Sequence, residues 1–420
     1  MTTRESASWR IVIAPDSFKG SLTSIEVATA LAEGWRAARP DDEILLAPLA
    51  DGGEGTLVAI EAAGGWEWRT VRATDPIGRP VEARWLRSSD GRRAVVELAE
   101  ASGLSRLAAT EHDPVGASTR GTGEVLRSVL DDGIRTITLG IGGSATTDGG
   151  AGILTALGAA VMDDRIELAG LDGRLADVDL RIACDVTNPL LGPTGAAATY
   201  GPQKGATPDQ VAQLDAALAQ YADRMLSAAE RDERDTPGAG AAGGTAFGLL
   251  SVGDRFASVR LLPGVEVVME ETGLRDKLNG ADLVITGEGR IDAQTAFGKT
   301  ALGVAKLAHG QGVACIAVGG GVEPGGVEAL RPLGAVVVPV TERPQTVDEA
   351  MAAGVDPVRR CGERIARLIQ MLSPYDGRPA RRVPGMDKGR VVIHPNFDDP
   401  VPEWDPDDMH PDDPMRELLR

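Results

Sequence analysis

The sequence predicts an α/β fold built from parallel, three-layer sheets. Two observations carry this. Short runs rich in Val and Ile recur along the chain, and the segments between them have apolar residues at helical spacing. A third observation agrees: 53 glycines and only 3% aromatic residues describe a chain of many tight turns and close backbone approaches.

The runs come in order as Ile11 to Ala14, Ile44 to Leu46, Ala94 to Leu98, Thr136 to Leu139, Leu180 to Cys184, Leu283 to Thr286, Cys315 to Val318 and Val336 to Val338. Their continuous apolar character reads as mostly buried strands. The clearest helix is Thr23 to Ala38. Thr23 and Glu26 form a T-x-x-E capping box, Val27, Leu31 and Trp35 share one face, and Pro40 stops the helix. A second runs from Thr207 to Arg231. Thr207 and Gln210 cap it, Pro208 suits its first turn, and Val211, Leu214, Leu218, Tyr221 and Met225 form an apolar stripe that reads as core packing.

The 420 residues are enough for two domains, and 42% of them are hydrophobic, too many for global disorder. Lys and Arg total 43 against 62 Asp and Glu, a formal charge of −19, which argues against nucleic-acid or anionic-membrane partners. A small anionic substrate is still allowed where Lys or Arg is concentrated. Cys184, Cys315 and Cys361 are far apart, with no CxxC and no histidine at ligand spacing, so neither a disulfide framework nor a zinc site is expected. No apolar stretch has the length of a membrane span, and a cytoplasmic, unprocessed protein is expected.

The chemistry is expected where strands end. Five predicted strands run into clusters rich in Gly, Asp or Ser: Pro15-Asp16-Ser17, Asp51-Gly52-Gly53-Glu54-Gly55, Gly142-Gly143-Ser144, Asp185-Val186-Thr187-Asn188 and Gly287-Glu288-Gly289-Arg290. In open α/β sheets ligands bind outside the carboxyl ends of strands, so these clusters are expected to share a crevice. The same residues are ordinary in strand-to-helix turns, but paired glycines beside an acid go beyond that. Lys19, between Ser17 and Ser21 and just ahead of the helix at Thr23, suits a carboxylate or phosphate. Lys204 stands similarly before the helix capped by Thr207. Asp148, Asp185, Glu288 and Asp292 are acids in glycine-flanked loops where Mg²⁺ finds one or two carboxylates, as phosphoryl transfer requires, although each also suits a helix cap.

Two fingerprints need testing. Gly298-Lys299-Thr300 ends like a Walker A loop, but the earlier glycine falls at Ala293, and the match fails. Gly140 to Ala145 fits G-x-G-x-x-A with Asp163 about twenty residues on, which leaves an NAD-dependent dehydrogenase as an alternative. No Gly-x-Ser-x-Gly elbow occurs, and none of the four histidines sits in the clusters.

Together the clusters resemble the type I glycerate kinases. The likeness rests on seven ordered motifs: Ile11 to Ser21, Ala50 to Thr56, Leu98 to Leu104, Leu139 to Gly152, Ala183 to Pro189, Gly201 to Ala206 and Ile285 to Asp292. The resemblance implies ATP- and Mg²⁺-dependent phosphorylation of D-glycerate, usually to 2-phosphoglycerate, with 3-phosphorylation as the alternative regiochemistry. It also implies two three-layer α/β/α domains, a discontinuous flavodoxin-like (Rossmann-like) domain with a second α/β domain inserted into it. The expected boundaries are 9–80 plus 281–372 for the first and 81–280 for the second. Carried onto these motifs, Asp16, Ser17, Ser21, Asp51, Glu54 and Arg290 would bind substrate, with Arg290 on the glycerate carboxylate, since a guanidinium fork matches a planar anion. Lys19 would act in catalysis, and Asp185 or Asp292 would be the base. Gly142, Gly143, Ser144 and Lys204 would hold the nucleotide, and Asp148 and Glu288 the metal. Departures from the family are a shorter segment between Met162 and Leu180 and a Val318-Gly319-Gly320-Gly321 turn in place of an Ala-Gly-Ser type. The segment 373–420, rich in Pro and Asp, is expected to be a disordered tail with a short strand at Val391 to Ile393. Its end looks like the toxin-binding end of small bacterial antitoxins, which implies a protein partner; the alternative is a solubilising or tethering tail.

Overall fold

The computed structural model describes residues 8–297 and 300–372. Thirteen strands occur among them: β1 (Arg10–Pro15), β2 (Glu43–Leu46), β3 (Trp66–Thr74), β4 (Pro80–Ser88), β5 (Arg93–Glu97), β6 (Thr136–Gly140), β7 (Ala160–Val161), β8 (Ile166–Glu167), β9 (Asp179–Ala183), β10 (Ser258–Leu262), β11 (Leu283–Ile291), β12 (Ala314–Val322) and β13 (Val336–Pro339). Each of the eight apolar runs is a strand here, within a few residues.

The first sheet has the order β13-β12-β11-β1-β2, and all its neighbours are parallel. Counted along its own strands from the β2 edge this is 2-1-3-4-5, the flavodoxin-like order, with the switch point between β1 and β11. Successive residues of β1 point to opposite faces, and both faces are buried. Ile11 and Ile13 pack with Val27, Leu31, Trp35 and Cys361, whereas Val12 and Ala14 pack with Leu302, Val304 and Ala308. Helices Ser24–Ala38 and Asp356–Leu372 therefore cover one face, and helix Thr300–Gln311 the other.

Local chemistry sets the ends of these helices. At helix Ser24–Ala38 the Glu26 amide donates to Thr23 Oγ1 (3.2 Å), and the Thr23 amide donates to Glu26 Oε2 (2.8 Å). That is the capping box read in the sequence, worth about 1 kcal/mol. The same reciprocal pair joins Thr207 and Gln210 ahead of helix Pro208–Ala229, which buries Leu214, Leu218, Tyr221 and Met225 as the stripe predicted.

The second sheet, β10-β9-β6-β5-β4-β3, draws every strand from the stretch between β2 and β11. It is mixed, because β3 and β4 form an antiparallel hairpin against β5. The sequence reading passed over this hairpin, although WEWRTVRAT and PVEARWLRS alternate at period two around the Asp75-Pro76-Ile77-Gly78 turn. The boundary expected at 80/81 falls inside that hairpin. One face of the sheet packs Val96, Leu139 and Ile182 against Val129, Leu154 and Phe247. The other face contributes Leu86 and Val95 to the cluster that holds Val12 and Leu302.

Leu57, Ile60, Val268 and Leu274 belong to this same cluster, so helices Thr56–Ala62, Gly264–Glu271 and Leu274–Leu278 form a layer shared by both sheets. Lys277 ties that layer together. Its ammonium donates to the carbonyls of Leu46 (3.1 Å), Ala63 (2.6 Å) and Thr272 (2.9 Å), and burial lowers its pKa to about 8. The expected tail, 373–420, and its short strand lie outside the described residues.

Candidate active site

An open cleft of about 1900 Å³ lies at the β1/β11 switch point. The segments following β1, β9, β10, β11 and β12 all contribute to its walls, so strand ends of both sheets meet there. Asp16, Ser17, Lys19, Ser21, Asp51, Asp185, Glu288 and Arg290 all line it.

Asp16 is fixed where β1 ends. Its amide continues the sheet by donating to the Gly287 carbonyl (2.8 Å), and its carboxylate accepts from Ser17 N (2.6 Å) and Thr300 Oγ1 (2.5 Å). Burial raises its pKa; the bonds from Thr300 and Ser17 oppose this and the Asp51 charge adds to it. Three residues on, the Lys19 ammonium reaches Asp51 Oδ2 at 3.1 Å with 82% of its side chain exposed. The Asp51 charge and hydrogen bond push the Lys19 pKa up, with Asp16 and Asp185 contributing.

Asp185 enters from the second sheet, two residues beyond β9. Its Oδ1 accepts the Gly264 amide at 2.8 Å. Burial raises its pKa against the Gly264 bond, and the charges of Asp51 and Asp16 raise it further. Gly264 is itself required, because a Cβ there would stand 2.1 Å from the Asp51 carbonyl and 2.8 Å from Asp185 Oδ2. On the opposite wall, Glu288 is buried and accepts from Thr295 Oγ1 (2.7 Å). The exposed Arg290 guanidinium pairs with Glu323, and its Nε is 3.5 Å from Asp292 Oδ2. Three cleft features were not read from the sequence. Thr300 orients Asp16, Glu323 holds Arg290, and apolar Val265, Met269 and Leu307 extend the cleft between helices Gly264–Glu271 and Thr300–Gln311.

The other expected residues sit elsewhere. Asp292 is not among the lining residues; its Oδ1 accepts the Gln294 amide (2.8 Å) and its Oδ2 lies beside Arg290. Glu54 lies against Gly143. Gly142 and Gly143 are packed against the Asp51 loop, Gly142 by the Gly52-Gly53 backbone and Gly143 by the Glu54 side chain. A Cβ on Gly142 would stand 2.5 Å from Gly53 Cα, and one on Gly140 would stand 2.7 Å from the Gly52 carbonyl. The same packing removes the site a dinucleotide would need in the dehydrogenase alternative. Asp163 is exposed in the turn between β7 and β8.

Asp148, expected at the metal, is engaged by backbone and hydroxyl groups outside the cleft lining. Its Oδ2 accepts from Thr119 N (2.8 Å), Thr119 Oγ1 (2.8 Å) and Gly152 N (3.1 Å), and its Oδ1 accepts from Gly150 N (3.1 Å). With both oxygens engaged it holds two loops together, the capping task that an acid in a glycine-flanked turn performs equally well. Lys204 is a buried strut, only 1% exposed, donating to Ser144 Oγ (2.9 Å) and the Thr146 carbonyl (2.5 Å). Its loop turns inward instead of toward the cleft, and takes Ser144 with it.

Burial lowers the Lys204 pKa to about 7, with Asp148 opposing. Between that value and the ordinary lysine range the unfolded chain holds this proton and the folded chain does not, so stability from this group rises with pH across the window. The melting temperature of the wild type, relative to Lys204→Met, is expected to increase from pH 7 to pH 9 in calorimetry. An unchanged difference would place the ammonium in contact with solvent.

The sequence model of the Glycerate kinase family matches residues 11–370. The glycerate kinase of Halalkalibacterium halodurans is 42% identical over 383 residues, covering 87% of this chain and 98% of that one. The glycerate 2-kinase of Escherichia coli K12 is 41% identical over 377 residues, with 86% and 98% covered. A crystal structure described as glycerate kinase 2 from Salmonella typhimurium LT2 superposes with a TM-score of 0.76 at 40% identity, covering 87% of this chain and 99% of that chain.

Proposed function

Because the chain belongs to the glycerate kinase family, we propose that it transfers the γ-phosphoryl group of ATP to the 2-hydroxyl of D-glycerate at the β1/β11 switch point. The hydroxyl oxygen forms the new P–O bond, the bond between the γ-phosphorus and the β–γ bridging oxygen breaks, and ADP leaves. The observation that carries the assignment is the meeting of Asp16, Lys19 and Asp51 from the first sheet's side with Asp185 from the second, in one cleft. The regiochemistry follows the E. coli relative, which is described as a glycerate 2-kinase.

Asp185 is the base. It lines the cleft, its orientation is fixed by the Gly264 amide, and its raised pKa makes it a better proton acceptor than an exposed aspartate. Asp292, whose carboxylate is turned to Gln294 and Arg290, is set aside. Lys19 and Arg290 receive the anionic groups, Arg290 by exchanging Glu323 for the glycerate carboxylate. Asp16, held by Thr300 and Ser17, keeps the position it needs beside Lys19.

The acids fit a divalent cation. Asp16 and Asp185 have raised pKa values partly through like charge, and a hard cation relieves that repulsion. Among the described residues no three metal-ligating side chains converge, so a Mg²⁺ here would be held by Asp16 together with phosphate oxygens. When bound, it supplies neutralisation of the phosphoryl charge. Among the described residues no helix is long and apolar enough to cross a membrane. A cytoplasmic location suits three cysteines that are all free thiols.

The test is a ³¹P NMR time course of the full chain with ATP, Mg²⁺ and D-glycerate. A phosphomonoester coupled to the single C2 proton is expected. Coupling to the two C3 protons would change the product, and no turnover by the folded protein would overturn the reading.

A further inference from the structure

The segment Asp51–Gly55 carries the carboxylate that faces Lys19, yet little within the segment itself holds it in place. Gly52 and Gly55 adopt φ values of +82° and +91°, and the internal contact from Gly53 N to Asp51 Oδ1 is long at 3.3 Å. Its anchor comes from the other sheet. Glu97, the last residue of β5, is 6% exposed, and its Oε1 accepts the Leu57 amide at 2.6 Å. The Gly55 amide donates to the same carboxylate. These two amides bracket the start of helix Thr56–Ala62, directly after the Asp51 loop.

We propose that Glu97 is a positioning residue for the reaction, whose carboxylate clamps the Asp51–Gly55 loop to the end of β5 and so holds Asp51 against Lys19. The proposal rests on the kinase reading above only where turnover is the readout.

The clamp is sensitive to pH. Burial first, then the charges of Glu100 and Glu54, raise the Glu97 pKa to about 7, and the Leu57 and Gly55 amides oppose the rise. The charged groups around it are Glu54 from the loop, Glu100 from the short helix Ala99–Ser102 and Arg84 from β4; Glu100 is itself held by Arg84 (2.9 Å) and Arg106 (3.0 Å). A charged carboxylate accepts both amides. A protonated one keeps one acceptor oxygen, and because burial raises this pKa above that of an exposed glutamate, protonation favours the closed, buried clamp and the loop loosens as pH rises through about 7.

The experiment compares the full-length wild type with Glu97→Gln, which keeps one acceptor oxygen and cannot titrate. Hydrogen exchange over 51–58, corrected for intrinsic rates, is followed from pH 6 to pH 8 alongside kcat/KM. The wild-type loop is expected to lose protection as pH rises through about 7. Glu97→Gln should exchange faster than the wild type at pH 6, lose that dependence, and lower kcat/KM about tenfold at pH 6. A Glu97→Gln enzyme with wild-type rate and pH dependence overturns the proposal. Faster exchange with unchanged kinetics also overturns it, by leaving Glu97 a structural role alone. If the wild type does not turn over glycerate, the kinase reading fails, and the exchange data still decide whether Glu97 holds the loop.

Discussion

Replacement of Asp185 by Asn is expected to reduce kcat by roughly 10²- to 10⁴-fold, the range that a positioned general base supplies, with a much smaller change in the KM for glycerate. The substitution is nearly isosteric. Its carbonyl oxygen still accepts the Gly264 amide, so the loop keeps its place, but the side chain no longer takes the hydroxyl proton. The variant also removes one negative charge from beside Asp51 and Asp16, which favours anion binding and keeps KM from rising. Asp292→Asn is the matched control. Its carboxylate accepts the Gln294 amide and neighbours Arg290, so its loss should cost far less in kcat. Steady-state kinetics in an ADP-coupled assay read both. A nearly active Asp185→Asn enzyme with an inactive Asp292→Asn enzyme would exchange their roles.

Gly34→Ala is expected to destabilise the protein by about 1–3 kcal/mol, the usual cost of overpacking, although Gly to Ala within a helix ordinarily stabilises. The reason is where helix Ser24–Ala38 crosses helix Asp356–Leu372. A Cβ on Gly34 would stand 1.9 Å from the Arg359 carbonyl and 2.8 Å from the Glu363 amide nitrogen, both of them backbone atoms that cannot rotate away. Gly362 presents the reciprocal contact, 2.5 Å from the Leu31 carbonyl. The two glycines let the helix backbones touch, and an added methyl separates them along with the Ile13, Trp35 and Cys361 packing beneath. Calorimetry should show a melting temperature several degrees lower, with kcat and KM of the folded enzyme unchanged. By contrast, Gly310→Ala adds its methyl to open space and should not lower the melting temperature.

Much of the fold was legible because the core strands are buried on both faces and therefore read as unbroken apolar runs, as at Ile11 to Ala14 and Leu283 to Thr286. The β3–β4 hairpin escaped for the opposite reason. Its alternating arginines and tryptophans carry the signal of a half-buried strand, which a search for apolar runs passes over. In the cleft, Asp16, Lys19, Asp51, Asp185, Glu288 and Arg290 were found from one rule about strand ends. Ser144 from the same rule, and Asp148 and Lys204 read from their glycine-rich turns, lie outside the cleft lining, because the residue types that grip phosphate or Mg²⁺ also satisfy buried backbone groups. Local sequence does not record which way a glycine-rich loop turns. Nor did it reveal Thr300 or Glu97, whose partners lie 284 and 40 residues away.

The described walls of the cleft carry eight carboxylates and only four basic side chains, in a protein whose formal charge is already −19. A small carboxylate or a polyphosphate must therefore approach against the field of its own binding site, with Lys19, Arg275, Arg290 and Lys306 as the cations that oppose that field. Salt contracts the Debye length from about 30 Å at 0.01 M to about 10 Å at 0.1 M. It thereby shortens the reach of the repulsion while leaving contacts at bonding distance much less affected. Ionic strength, which slows most charge-steered encounters, works here as an aid to substrate entry.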